Sequence, residues 1–125
     1  MKRIVPWGVA VCLILLAIWW FFGPYPTYNQ TKLKAVKVEA EILVAKHPIK
    51  ASVYRVKIPK SQWPPAIASL EPEEVSVHRW GVDILIKSYF DGGWGYGVTR
   101  KKQDLPMLQE CWSEPGEGVF WHGPC

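Results

Sequence analysis

The sequence predicts an α+β fold: an N-terminal transmembrane helix, then an amphipathic helix packed on a three- to four-stranded antiparallel sheet. Three patterns in the 125 residues carry that prediction. Residues 4–22 form one uncharged run, IVPWGVAVCLILLAIWWFF. Leu33, Val36, Ala40 and Leu43 recur at steps of three and four, the spacing of one helical face. Between residues 75 and 98, apolar side chains alternate with polar residues or glycine, the spacing of strands. The chain then divides into a cytoplasmic N-terminus (residues 1–3), a transmembrane helix (4–22), a linker (23–31) and a small α+β domain (32–125).

As a helix the first run reaches about 28 Å, close to the thickness of a bilayer's hydrocarbon core. It ends in Trp19-Trp20-Phe21-Phe22 before Pro24 and lacks the small residues that signal peptidase needs, so a retained single-pass anchor is expected in place of a cleaved signal. Cys12 follows Val11 in mid-run, which does not suit a lipid-modified cysteine, and it reads as a small apolar residue. Trp7 at one end, and Trp19, Trp20, Phe21, Phe22, Tyr25 and Tyr28 at the other, read as aromatic belts. Lys2 and Arg3 lie nearer the run than Lys32, Lys34 and Lys37. The positive-inside rule therefore puts the N-terminus in the cytoplasm and the domain on the extracytoplasmic, periplasmic side of an inner membrane.

Net charge is +4 for the whole chain, and Lys2 and Arg3 account for two of those charges, so nothing suggests nucleic acid as a partner. Residues 32–60 hold eight Lys/Arg against Glu39 and Glu41, whereas residues 71–125 hold nine acids against five bases. The basic residues are spread out, as on an ordinary solvated face. The expected partners are membrane lipid, through residues 4–22, and another envelope protein.

Residues 23–31, GPYPTYNQT, carry turn chemistry and read as a linker. The helix that follows ends before Pro48. Val36, Val38, Ala40, Ile42 and Val44 also alternate as a strand would, but length and the Ala, Glu, Lys and Leu content favour the helix. Residues 52–58 alternate Tyr54, Val56 and Ile58 with Val53, Arg55 and Lys57, which predicts a strand ended by Pro59. Pro64 and Pro65 allow only the first turn of a helix, so one or two turns are expected over residues 65–70, with Trp63, Ile67 and Leu70 on one side.

A Trp80-Gly81 hairpin loop would pair Val77 with Ile84 and Val75 with Ile86. A three-residue loop at Asp91-Gly92-Gly93 would pair Phe90 with Trp94, Ser88 with Tyr96 and Ile86 with Val98, gathering the apolar residues on one face. The glycines that alternate with Trp94, Tyr96 and Val98 then leave the other face bare, a surface a flat ligand or a backbone can approach. Beyond Arg100-Lys101-Lys102 the chain is rich in turns, with Val119-Phe120-Trp121 as a short edge strand.

No catalytic, cofactor or metal constellation stands out. Gly92-Gly93-Trp94-Gly95-Tyr96-Gly97 leads into a strand pattern and lacks a following Lys-Ser/Thr, unlike a phosphate loop. His122 and Cys125, with Cys111 and with His47 or His78, lack the paired spacing of a zinc site. Asp83 and Asp91 are explained as a solvated strand residue and a turn residue. Cys111 and Cys125 are expected to form a disulfide if they face an oxidising compartment, closing a loop of about fifteen residues worth on the order of 3 kcal/mol. In the cytoplasm both thiols would be free. After the aromatics assigned to span and core, Trp80, Trp112 and Trp121 are left as candidate partner contacts.

The stretch Ile58-Pro59-Lys60-Ser61-Gln62-Trp63-Pro64-Pro65-Ala66-Ile67, with Leu70-Glu71-Pro72, Val75 to Gly81-Val82, and Tyr89-Phe90-Asp91-Gly92-Gly93-Trp94-Gly95-Tyr96, resembles small bacterial membrane-anchored proteins of unassigned function. The resemblance implies a bacterial envelope setting and supplies no catalytic motif. The expected function is a membrane-anchored, non-enzymatic binding or assembly module. The alternatives are a small thiol- or metal-dependent enzyme using Cys111, His122 and Cys125, and an inhibitor or immunity-type protein guarding the membrane.

Overall fold

Apolar residues at helical spacing must be buried on one side, and a sheet with one apolar face supplies the surface that buries them. The computed structural model describes the backbone of residues 5–90 and 92–125, and their side chains except those of residues 5 and 19–22. Helix α1 (Val5–Phe22) is followed by α2 (Gln30–Lys46), strand β1 (Val56–Ile58), the short helix α3 (Pro65–Ala68), and strands β2 (Glu74–His78), β3 (Gly81–Tyr89), β4 (Gly92–Val98), β5 (Trp112–Gly116) and β6 (Val119–His122). The strands form one six-stranded sheet in the order β1-β2-β3-β4-β6-β5, and every neighbouring pair is antiparallel.

The expected transmembrane helix is the first correction. Among the described residues, no helix is long and apolar enough to cross a membrane. Helix α1 has 18 residues, about 27 Å of helix, against a hydrocarbon core of about 30 Å. The single-pass architecture, the inner-membrane location and the lipid contact through residues 4–22 are therefore not supported. Trp7 is 80% exposed, and none of the described α1 side chains enters either apolar cluster of the domain. Residues 1–3 and the side chains of Trp19, Trp20, Phe21 and Phe22, on which the orientation and one aromatic belt were argued, lie outside the described residues.

Helix α2 takes the periodicity of Leu33, Val36, Ala40 and Leu43, all buried. Val38, Ile42 and Val44, which the competing strand pattern would bury, stay exposed. The helix starts inside the expected linker because Asn29 Oδ1 accepts a hydrogen bond from Lys32 N at 3.2 Å and caps it. The rest of that linker is held to the domain. Thr27 N donates to the Tyr96 hydroxyl at 2.8 Å, and Gly23, at φ +60°, lies so close to the Trp94 indole that a Cβ would clash.

The four buried positions of α2 pack on Ile58, Val75, Val77, Val82, Ile84, Tyr96, Val98, Val119 and Trp121, one face of the sheet, together with Ile67 of α3. Pro65 sits at the first helical position of α3, where its missing N–H costs nothing. The next two donors, Ala66 N and Ile67 N, reach the Glu39 carboxylate at 3.0 and 2.9 Å. A carboxylate at a helix N-terminus satisfies donors the helix cannot, so α2 both buries α3 and caps it.

The sheet is wider than the three or four strands expected, and its registers differ. The β2–β3 turn is Arg79-Trp80, so that His78 pairs with Gly81, Val77 with Val82 and Val75 with Ile84. This is two residues away from the expected pairing; the faces are kept because the slip is even. In the next hairpin Tyr89 pairs with Gly92 and Lys87 with Trp94, a two-residue connection, and the register shifts between Leu85 and Lys87. The irregularity at Ile86 returns Ile84 opposite Tyr96 and Val82 opposite Val98, which puts the apolar residues on the core face without the expected longer loop. Asp91 lies outside the described residues.

At the edges, β1 is shorter than expected and leaves Tyr54 88% exposed. Strand β6, expected at an edge, lies between β4 and β5. Side chains occupy a carbonyl on each edge strand: Trp63 Nε1 donates to Ile58 O at 3.0 Å, and Gln30 Nε2 donates to Pro115 O at 2.8 Å.

Candidate functional site

The second face of the sheet carries the chemistry. Its β4–β6 part is covered by the chain between β4 and β5. Leu105, Trp112 and Phe120 form a second buried cluster, with Trp80 and Cys111 packed against it. Leu105 and Trp112 sit over Gly97 so closely that a Cβ there would meet both at 2.9 Å, so the glycine face read as bare is occupied by the chain itself. Trp112 Nε1 donates to Pro106 O at 2.8 Å. Cys111 is joined to Cys125 by a disulfide, which ties the start of β5 to the C-terminal residues.

Beside this covered part, β1, β2 and β3 present polar groups. The Arg55 guanidinium lies 3.1 Å from Glu74 Oε1, and Lys57 Nζ lies 4.0 Å from the same oxygen. That oxygen is buried and accepts no hydrogen bond, so the contact with Arg55 is what compensates it. The Arg55 side chain is 47% exposed, and solvent screening holds the value of such a pair to about 1 kcal/mol or less. Asp83 faces Ser76 across one strand pair and Gly97 across the other. Burial pushes its carboxyl up to about 6, the Glu74 charge adds to the rise, and Arg55 opposes it.

Ser76 Oγ and His78 Nε2 share a hydrogen bond of 2.9 Å. The distance suits a nucleophile and its base, but Ser76 is 1% exposed and no substrate carbon can be brought to its hydroxyl. Burial holds His78 below the usual histidine range and Arg55 lowers it further, against a smaller opposing effect of Glu74. Its imidazole is thus neutral at neutral pH.

His78 stacks on Trp80, with ring centroids 5.2 Å apart and planes 21° apart. Trp80 stands at the β2–β3 turn, half-buried, and borders two clefts. The first, about 410 Å³, lies on the second face and is bounded by residues 51–53, Tyr54, His78, Arg79, Trp80 and Pro106. The other, also about 410 Å³, lies toward α2, where Lys37, Glu41, Arg100 and Asp104 mix charges around Ala40 and Val98. Arg79 Nη2 donates to Ala51 O at 2.6 Å and so holds the 51–54 segment as the outer wall of the first cleft.

The three tryptophans singled out from the sequence part company here. Trp80 is half-buried at the clefts, whereas Trp112 and Trp121 are 5% and 9% exposed. Trp112 packs edge-on against His122 at 4.5 Å, and Trp121 packs edge-on against Tyr96 at 4.8 Å. Tyr54 and Arg79 were missed in sequence. The turn position of Arg79 beside Trp80 was a usable signal for one of them, and nothing local marked Tyr54.

The enzyme alternative on Cys111, His122 and Cys125 is overturned, because both sulfurs are consumed in the disulfide. Among the described residues no group of three or more His, Cys, Asp or Glu can hold a metal ion. His122 is accounted for by packing: burial lowers its pKa, and its Nδ1 lies 3.1 Å from Gly123 O. His47, once a candidate fourth ligand, places Nδ1 3.1 Å from Leu43 O at the end of α2. The membrane-anchored module and the membrane-guarding inhibitor both lose the span on which they rested.

Comparison of the chain with protein-family models, with curated proteins and with solved structures finds no match.

Proposed function

We propose that this domain is a binding module and not an enzyme, and that it holds a small ring-bearing ligand in the cleft on the second sheet face at Trp80. The observation that carries the reading is Trp80 itself. A large aromatic at a hairpin tip is stacked on a neutral histidine and fronts a cleft of ligand size, with the 88%-exposed Tyr54 at its margin. The rigid sheet fixes one wall, and Pro106, whose carbonyl accepts a hydrogen bond from Trp112 Nε1, supplies another. Such a site binds by shape and stacking. The inaccessible Ser76 hydroxyl leaves the neighbouring Ser-His pair a positioning role for the imidazole.

Phenol is a suitable probe, being a small ring with one polar group. Titrated into the isotope-labelled full chain, it is expected to shift the Trp80 indole and the amides of residues 51–54 and 79–80, and to lose that pattern in Trp80→Ala. Shifts spread evenly over the exposed rings of Tyr25, Tyr28 and Phe90, with none concentrated at Trp80, would refute the reading.

A further inference from the structure

We infer that the ligand of the Trp80 cleft is a planar ring carrying an anionic group, with Arg79 as the residue that takes the charge. The inference rests on the binding reading above and adds the ligand's chemical class.

The charges around the two clefts point this way. Arg79 lines both clefts; the one toward α2 also has Glu41 and Asp104 in its lining, together with the cations Lys37 and Arg100. The cleft on the second face has, among the described residues, no carboxylate in its lining, and Arg79 is its cation. On the same face Glu74 is paired with Arg55 at 3.1 Å, and Asp83 lies opposite Ser76; neither lines this cleft. A guanidinium carries several N–H donors in a flat fork that matches a carboxylate, and the bond from Arg79 Nη2 to Ala51 O uses one of them. That bond also fixes where the fork stands relative to the ring wall.

The aromatic side of the site is equally specific. His78 lies almost parallel to Trp80 and stacks on one face of its indole, so the flat surface left for a ligand is an outer face of this stacked pair. Tyr54 and Pro106 stand at other margins of the same cleft. A planar ring stacks on such a surface at little entropic cost, because the surface is already formed. A flat ring with a carboxylate at its edge meets both demands at once: the ring lies against Trp80 and the carboxylate turns to Arg79.

Benzoate and its neutral isostere benzamide separate the two parts of the inference. With the Trp80 indole signal of the full chain as readout at low ionic strength, benzoate is expected to bind about tenfold more tightly than benzamide. Because Arg79 is exposed, raising the salt from about 20 mM to about 500 mM should shrink that preference, and this needs no variant. Arg79→Gln should bring benzoate down to the affinity of benzamide, while Arg79→Lys should keep part of the preference. Equal affinities for the two probes in the unaltered chain overturn the anionic class and leave the ring site standing. A preference for benzoate that survives undiminished in Arg79→Gln overturns the assignment to Arg79. If neither probe moves the Trp80 signal, the binding reading falls as well.

Discussion

Replacing Asp83 by Asn should make the domain more stable at neutral pH, by an amount that depends on pH in a way the surroundings of this residue dictate. Asp83 lies in the middle of β3, opposite Ser76 on β2 and Gly97 on β4. Among the described residues no ion pair is formed by Asp83, and Arg55 and Lys57 are both turned to Glu74. Burial raises its carboxyl from 3.8 to about 6, with Glu74 adding to the rise and Arg55 opposing it. The ionised form is therefore about 3 kcal/mol less favourable in the folded chain than in the unfolded one.

A raised folded pKa means that the protonated form favours folding. That contribution is complete below about 3.8 and is lost as pH rises through about 6. Asparagine imitates the protonated carboxyl at every pH. In urea unfolding followed by tryptophan fluorescence, Asp83→Asn should exceed the unaltered chain by about 3 kcal/mol at pH 7.5, and by less than about 1 kcal/mol at pH 4. The midpoint of the convergence should fall near pH 5, between the two pKa values. Parallel stability curves, or a variant that loses stability at pH 7.5, would show that Asp83 is solvated or paired after all.

Two further outcomes test how the core is assembled. Glu39→Ala removes the acceptor of two helix-terminal N–H groups and should cost about 1–2 kcal/mol, a drop of several degrees in melting temperature, whereas loss of a merely solvated carboxylate would leave the melt unchanged. Gly97→Ala puts a methyl group against Leu105 and Trp112 at 2.9 Å and should cost about 1–3 kcal/mol, with a displaced Trp112 indole resonance as the sign that the covering segment has lifted.

The most legible parts of the fold were those in which a single side-chain period runs long enough to outvote its rival. Helix α2 is such a case: strand alternation was also available over residues 36–44, and the four positions buried are those of the helical face. Hairpin registers were harder to read, because several pairings keep the same residues on the same face. Shifting Val77 from Ile84 to Val82 changes every partner and no face. In the β3–β4 hairpin, a bulge at Ile86 does the work that a longer loop was expected to do, and no local signal separates the two. At residues 4–22 hydropathy pointed to a membrane span, whereas among the described residues no helix is long and apolar enough to cross a bilayer.

By itself, then, the sequence determined the α+β class, the buried face of α2, the alternating strands, the proline-started turn at α3, and the one pairing open to the two cysteines beyond Cys12. Those features follow from local rules: periodicity, backbone restrictions at proline and glycine, and cysteine arithmetic. Only the tertiary structure decided that the sheet has six strands with β6 inside it, that Leu105 and Trp112 fill the space over Gly97, and that Tyr54, His78, Arg79, Trp80 and Pro106 meet around one cleft. These arrangements bring together residues far apart in the chain, such as Tyr54 and Pro106, 52 positions apart, at the margins of one cleft. They form because the whole sheet must close over its apolar surface at once, and no short stretch carries that condition in its own residues.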